Sequence, residues 1–493
     1  MNRWAFVLPL VVASTAVACG GKTLFEEYTV PSDASVPPDE DSALPPFRID
    51  AGVDGNAPPG DASSLPGFDG GPTEPLSVLD LGAVSAGVPV TFAVPPNTLG
   101  FHVIVESDRP SESLAVMDVL SPNGGFVHKD AKPFGGVHPT SETLFGSTAA
   151  VQIPQSQHPD VMPTVVPGNW QVTFRGAGTL RAKVQLQSTP DGEFHGGALE
   201  LDVYLPSGLR LGGPTAITPA NAATNPEVVG RMRSFFANVF ALYGLRNGPV
   251  RFYAIPSRFT TIEDSELDSL FQETRVAGRA QSLHVFLSEG DDSSEWWGIA
   301  AGIPGAANAP GNEQSGLALA SIPEANAEIE GVVLAHEAGH FFGLNHTTEI
   351  SGDPDPLTDT PVCTNINAGN LDACPDVSNV MFAAGALLGP PTSSPAQRRV
   401  VQGSPIFKAF RATPPNGIRR VPPMPALDYG KLFGHPGRPL QPAEKLALFG
   451  ACGHPNHARP TLSAETRSAL ERLALDPRVA PRMRKAARRV LVR

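Results

Sequence analysis

Cysteine is scarce, with 4 in 493 residues, so a disulfide scaffold cannot be what holds this chain together. Charge is also sparse at 17%, and acids outnumber bases 49 to 36. That balance argues against a coiled coil and gives no overall surface for nucleic acid. Beyond the N-terminus no run is long and apolar enough to be a membrane helix. The one glycine-rich stretch, GIAAGIPGAAN at 298–308, lacks the lysine and following helix of a phosphate-binding loop and reads as a loop at the edge of a cleft. Proline and glycine, in contrast, are abundant at 52 and 49. In a chain of this length they point to two or three β-rich domains joined by loops.

Met1-Asn2-Arg3, the apolar Trp4 to Val12 and Ala16-Val17-Ala18-Cys19 form a targeting segment. Its end resembles the lipobox of bacterial lipoproteins, although Ala16 stands where leucine is usual. The resemblance implies that 1–18 is a signal peptide and that Cys19 carries lipid, which would anchor the chain to a membrane of the bacterial envelope. The alternative is an ordinary Ala-x-Ala cleavage site and a secreted protein. Residues 19–77 are rich in Pro, Asp, Gly, Ser and Ala without hydrophobic periodicity, and read as a disordered acidic tether.

From 78 to 190 the pattern is one of short alternating runs, at 89–94, 101–106, 114–120, 169–174 and 180–187, punctuated by turn residues. Period-two strands at this spacing predict an antiparallel β-sandwich. VPGNWQVTF and the SPNGG turn resemble the small jelly-roll domains that accompany secreted bacterial proteases. His102, His128 and His138 read as surface or sheet histidines.

Residues 194–411 alternate differently. Strands are expected at 199–205, 250–256 and 282–288, and helices at 226–245 and 263–275. This order suits a twisted sheet backed by helices. SGLALASI at 315–322 is expected to be the edge strand lining the cleft, and a further helix is expected from Ser394. Residues 412–442 form a Pro-rich linker. Residues 443–493 form a small helical segment with a basic end, in which Cys452, His454 and His457 make at most a partial metal site.

The stretch that organises the chain is GVVLAHEAGHFFGLNH, from Gly331 to His346. On a helix His336 and His340 share one face, four residues apart, and can offer two imidazoles to one ion. Gly343, in the left-handed region, would end the helix and turn His346 back as a third ligand. Three nitrogens and an open position are the arrangement of a catalytic zinc, and Glu337 lies where it can take a proton from water at that position. A buried helix with satisfied histidines is the structural alternative.

The full HExxHxxGxxH pattern, followed by Asn379-Val380-Met381-Phe382, resembles the metzincin metallopeptidases. Asp359-Thr360-Pro361 and the pair Cys363 and Cys374, which would close a small ring in an oxidising compartment, narrow the likeness to the pappalysin branch. Zinc ligation by those two cysteines is the competing reading of the pair. The resemblance implies an α/β catalytic domain, one catalytic zinc, Met381 packed beneath it, and calcium as a possible second cation around Asp353 and Asp359; a solvated turn is the competing reading of Asp353, Asp355 and Asp359. It implies protein or peptide substrates and endopeptidase activity outside the cytoplasm. Two features depart from related enzymes. No cysteine lies between Cys19 and the histidines to silence a zinc, and Ala383 stands where the branch usually carries tyrosine. The second departure supports an alternative function, a surface binding protein that keeps the fold and has lost turnover.

Overall fold

A computed structural model describes residues 72–413, apart from 110–113, 130–141, 144–145, 158–163, 277–280, 291–296, 322–326, 350–351, 365–373 and 384–390, together with 64–65 and 471. The signal segment, Cys19, nearly all of the tether, His138, the Pro-rich linker, Cys452 and the C-terminal helices lie outside the described residues. The strands in chain order are β1 Ser64–Leu65, β2 Ser77–Val84, β3 Val90–Val94, β4 Thr98–Ser107, β5 Ala115–Leu120, β6 Phe126–Lys129, β7 Glu142–Thr143, β8 Thr148–Ile153, β9 Gly168–Arg175, β10 Leu180–Ser188, β11 Gly197–Pro206, β12 Leu245–Ile255, β13 Ser282–Glu289, β14 Gly298–Ala300, β15 Gly302–Ile303, β16 Leu317–Ser321 and β17 Lys408–Ala409. The helices are α1 Pro219–Ala222, α2 Pro226–Tyr243, α3 Leu267–Gln272, α4 Ala327–Phe341 and α5 Pro395–Gln402. The described chain is therefore β-rich with few helices, and it divides into two packed sheet systems.

The first is a sandwich. One antiparallel sheet runs β2-β10-β4-β8 and the other β3-β9-β5-β6. Alternation dictates their shared core: Phe101, Val103 and Val105 of β4 point inward to meet Trp170, Val172 and Phe174 of β9. The indole of Trp170 donates to the Val166 carbonyl at 2.9 Å, so the largest core side chain leaves no polar atom unpaired. The strands expected from alternation are all present. β2, β6, β7 and β8 are additional, and β7 pairs with β15 in a separate two-stranded sheet.

The outer face of the β10-β4-β8 sheet carries the opposite residues of the same strands, and these are buried too. Gln152 donates to the Val400 carbonyl at 2.7 Å, Gln185 to Ala307 at 2.8 Å and Gln187 to Phe407 at 3.1 Å. In return, the Glu313 carboxylate accepts from the backbone of Ser147 and Thr148, at 2.6 and 2.9 Å. The sandwich is thus fastened through buried amide bonds to the unit that carries the histidines. His102, a sheet histidine of β4, lies in this seam and is wholly buried.

The second system is a seven-stranded sheet with the order β1-β12-β11-β13-β16-β14, in which β17 also pairs with β11. Its central strands are parallel and its two outermost pairings antiparallel. α2 and α4 cover one face through Met232, Phe235, Val239, Leu334, Ala338 and Phe341. α3 covers the other against Tyr204, Tyr253 and Phe286. α2 starts where Asn225 accepts from the backbone N–H groups of Glu227 and Val228, and stops at the left-handed Gly244. Arg231 of α2 forms a buried ion pair with Glu330 of α4, which fixes the two helices against each other.

Two expectations need correction. The segment 263–275 is a short α3 flanked by tighter turns, not one continuous helix. β16 is an interior strand, and the edge beside the histidines is β14, drawn from the glycine-rich stretch expected to be a loop. LALAS is apolar on both faces, which is the signature of a covered strand, whereas glycine and proline obscured the strand character of 298–303.

Candidate metal centre

α4 carries His336, Glu337 and His340 in its last two turns. Gly343 adopts φ +100°. Its N–H donates to the His340 carbonyl at 2.8 Å, and the Leu344 N–H donates to Gly339 at 2.9 Å. This paired closure of a helix end requires a left-handed residue, and glycine meets it without a Cβ penalty. The chain then reverses and brings His346 back over the helix.

The result is a triangle of nitrogens. Nε2 of His340 lies 3.1 Å from that of His336 and 3.1 Å from that of His346, and the third side is 3.2 Å. Each outer nitrogen has a fixed acceptor. Nδ1 of His336 donates to the Val380 carbonyl at 2.5 Å, that of His340 to the Leu344 carbonyl at 2.7 Å, and that of His346 to Oε2 of Glu349 at 2.9 Å. A carbonyl cannot donate, so the proton of His336 and His340 must sit on Nδ1 and the Nε2 lone pairs face inward. Burial pushes the imidazoles of His336 and His346 down to about 3, and that of His340 well below its ordinary value, so all three are neutral.

Three inward lone pairs at such spacing repel one another unless a cation sits among them. Tetrahedral zinc, with bonds of about 2.0–2.1 Å, needs nitrogens about 3.3–3.4 Å apart, which the triangle nearly matches. The donor set fits zinc.

Glu337 is buried beside the triangle, 4% exposed. It packs against the edge strand so tightly that a Cβ built on Gly298 would lie 2.5 Å from Cγ of Glu337 and 2.8 Å from Oε1. Met381 is fully buried. Its turn is pinned on several sides: Asn379 Oδ1 accepts from the Met381 N–H at 2.9 Å, Thr347 N–H donates to the Met381 carbonyl at 3.0 Å, and Val380 N–H donates to Thr392 at 2.8 Å. The turn therefore both underlies the helix and supplies the acceptor for His336.

Cys363 and Cys374 are joined in a disulfide across the loop between the third histidine and this turn. With their sulfurs bonded to each other they are not zinc ligands. Asp353, Asp355 and Asp359 are not brought together as one ligand set. Among the described residues the convergent groups are the three histidines and the disulfide pair with Asp376. Both oxygens of Asp359 are engaged at the start of α5, accepting from Ser394 Oγ at 2.8 Å and Ala396 N–H at 2.9 Å. Asp355 is buried, and burial raises its carboxyl well above the ordinary range. Ala383 is buried and offers no hydroxyl.

Sequence reasoning missed Glu349. Its signal is its spacing, three residues past the third histidine, as for any carboxylate that orients a ligand from the adjoining turn. No protein-family model matches the chain, and no curated protein sequence matches it.

Proposed function

We propose that the chain is a zinc-dependent endopeptidase of metzincin type, nearest to the pappalysin branch, working outside the cytoplasm as a lipid-anchored envelope protein. The observation that carries this reading is the inward-facing Nε2 triangle of His336, His340 and His346 with a buried carboxylate, Glu337, beside it. In this reading 194–411 is the α/β peptidase domain and the sandwich is its fixed accessory. The Cys363–Cys374 disulfide fits an oxidising compartment, and Cys19 is the lipid attachment point.

Zinc bound by the three histidines supplies a Lewis acid for the scissile carbonyl and lowers the pKa of a water molecule. Glu337 takes the proton from the attacking water and returns it to the leaving amine. The backbone of β14 receives the substrate as an added strand, which holds the scissile bond beside Glu337. The Nδ1 acceptors, Val380, Leu344 and Glu349, keep the imidazoles in the ligating tautomer.

The test is digestion of a denatured protein by the soluble chain from residue 20, which keeps β1 and the whole of β2, with zinc and with a chelator. Zinc-dependent internal cleavage is expected. Tight zinc binding without any cleavage would favour the binding-protein alternative, for which Ala383 in place of a tyrosine hydroxyl is the specific support.

A further inference from the structure

Each of the three imidazoles is held through its Nδ1, but the acceptors come from different distances along the chain. That of His340 is 4 residues on and that of His346 is 3, whereas the Val380 carbonyl that holds His336 is 44 residues away and arrives only by tertiary packing. Whatever aims that carbonyl also aims the ring.

The Val380 C=O and the Met381 N–H belong to one planar peptide unit and point in opposite directions, so a partner on the N–H sets the aim of the carbonyl. That partner is Oδ1 of Asn379, at 2.9 Å. A flipped Asn379 amide would present a donor there instead. Gln397 of α5 prevents the flip. Its Nε2 donates to Asn379 Oδ1 at 3.1 Å, and Asn379 Nδ2 donates to its Oε1 at 2.9 Å. The Ser394 N–H donates to the same Oε1 at 2.8 Å, which fixes the way the pair faces. Both amides are buried, Gln397 completely, so a broken pair would leave polar atoms without water.

α5 is itself seated at two points. Ser394 Oγ accepts from the Gln397 N–H at 3.1 Å at its start, and further along the Val400 carbonyl takes the Gln152 amide of β8 at 2.7 Å. The sandwich thus braces the helix that braces the turn.

We propose that Gln397 is a positioning residue of the metal centre, acting through Asn379 on the Val380–Met381 peptide and so on the ring of His336. This rests on the zinc reading and adds to it a helix that supplies no ligand. Loss of Gln397 frees the Asn379 amide to turn and loosens His336, while His340 and His346 keep their acceptors.

The test is made on the soluble chain from residue 20. Gln397→Met nearly keeps the volume and removes both amide bonds. Zinc affinity, measured by chelator competition, should fall about 10–100-fold. The visible absorption of the cobalt-loaded chain, which reads ligand geometry at the metal and not global stability, should change with it. Asn379→Ala should lose a similar factor, and adding Gln397→Met to it should cost less than about twofold more, because the pair acts as one unit. A folded Gln397→Met chain with unchanged zinc affinity or an unchanged cobalt spectrum overturns the proposal. So does a fully additive loss in the double variant; if that variant does not fold, the single variants decide. Should Gln397→Met fail to fold by circular dichroism, Gln397→Asn, which draws the amide back by one methylene, takes its place. Failure of both to fold also overturns the proposal, since Gln397 would then serve the fold and not the ligand. A wild-type chain that binds neither zinc nor cobalt contradicts the metal-centre reading itself, a result distinct from metal binding that ignores Gln397.

Discussion

The sulfur of Met381 occupies the place where a side chain on Gly339 would begin: a Cβ built on that glycine would lie 2.3 Å from Sδ. The turn is therefore pressed against the helix between the two ligands His336 and His340. Because Met381 follows Val380, whose carbonyl fixes His336, the contact sets the height of the turn and the orientation of a ligand together. Gly339→Ala should push the turn outward and cost about 1–3 kcal/mol in overpacking. A lowered Tm with reduced zinc content is expected, and an unchanged pair of values would show that the contact is not tight.

Glu349 is predicted to matter through His346. Glu349→Ala removes the acceptor of the His346 Nδ1 proton, freeing the ring to change tautomer and turn. Zinc affinity should fall about 10–100-fold, measured by chelator competition. Unaltered affinity would show that the turn itself holds His346.

At Gly298 the prediction concerns the general base. Gly298→Ala places a methyl against Cγ of Glu337, which must shift. A displacement of about 1 Å can cost on the order of 100-fold in rate. kcat/KM for a short peptide should fall by that order while zinc content holds. Loss of zinc instead would locate the damage at the ligands.

Much of this site was legible because a helix repeats. Four-residue spacing puts His336 and His340 on one face, and the need for a left-handed residue accounts for Gly343. The sandwich core was legible for the same kind of reason, since Phe101, Val103 and Val105 alternate with the residues between them. What alternation hides is a second burial. Gln152, Gln185 and Gln187 stand at the polar positions of their strands and are nonetheless covered, their amides bonded to carbonyls of the other unit. A glutamine satisfied in this way carries no sequence mark that separates it from one in water. Nor does period two distinguish β16, which is apolar from Leu317 to Ala320, from an edge strand until its neighbours are known.

His102, in the same seam, gives a pH dependence. Burial first, and the nearby Lys183 second, push its imidazole down to about 3 from 6.5. Neither ring nitrogen has a hydrogen-bond partner among the described residues. The unfolded chain takes up a proton that the folded one refuses, so the stability tied to neutral His102 is fully present above pH 6.5 and lost progressively as pH falls toward 3. At pH 5 the loss is about 2 kcal/mol. Urea unfolding at pH 7.5 and pH 5.0 should show the wild type losing that much more than His102→Leu. Equal losses would show that His102 is protonated in the folded protein.

The central claim is that Glu337 moves the proton while the three histidines hold zinc without it. Its most direct test is the Glu337→Gln chain, loaded with zinc and given a peptide library, with metal content and hydrolysis measured on the same sample. The account predicts about one zinc per chain, as in the wild type, and hydrolysis reduced by at least about 100-fold, within the usual range for a lost general base. Hydrolysis retained at near the wild-type rate would contradict it.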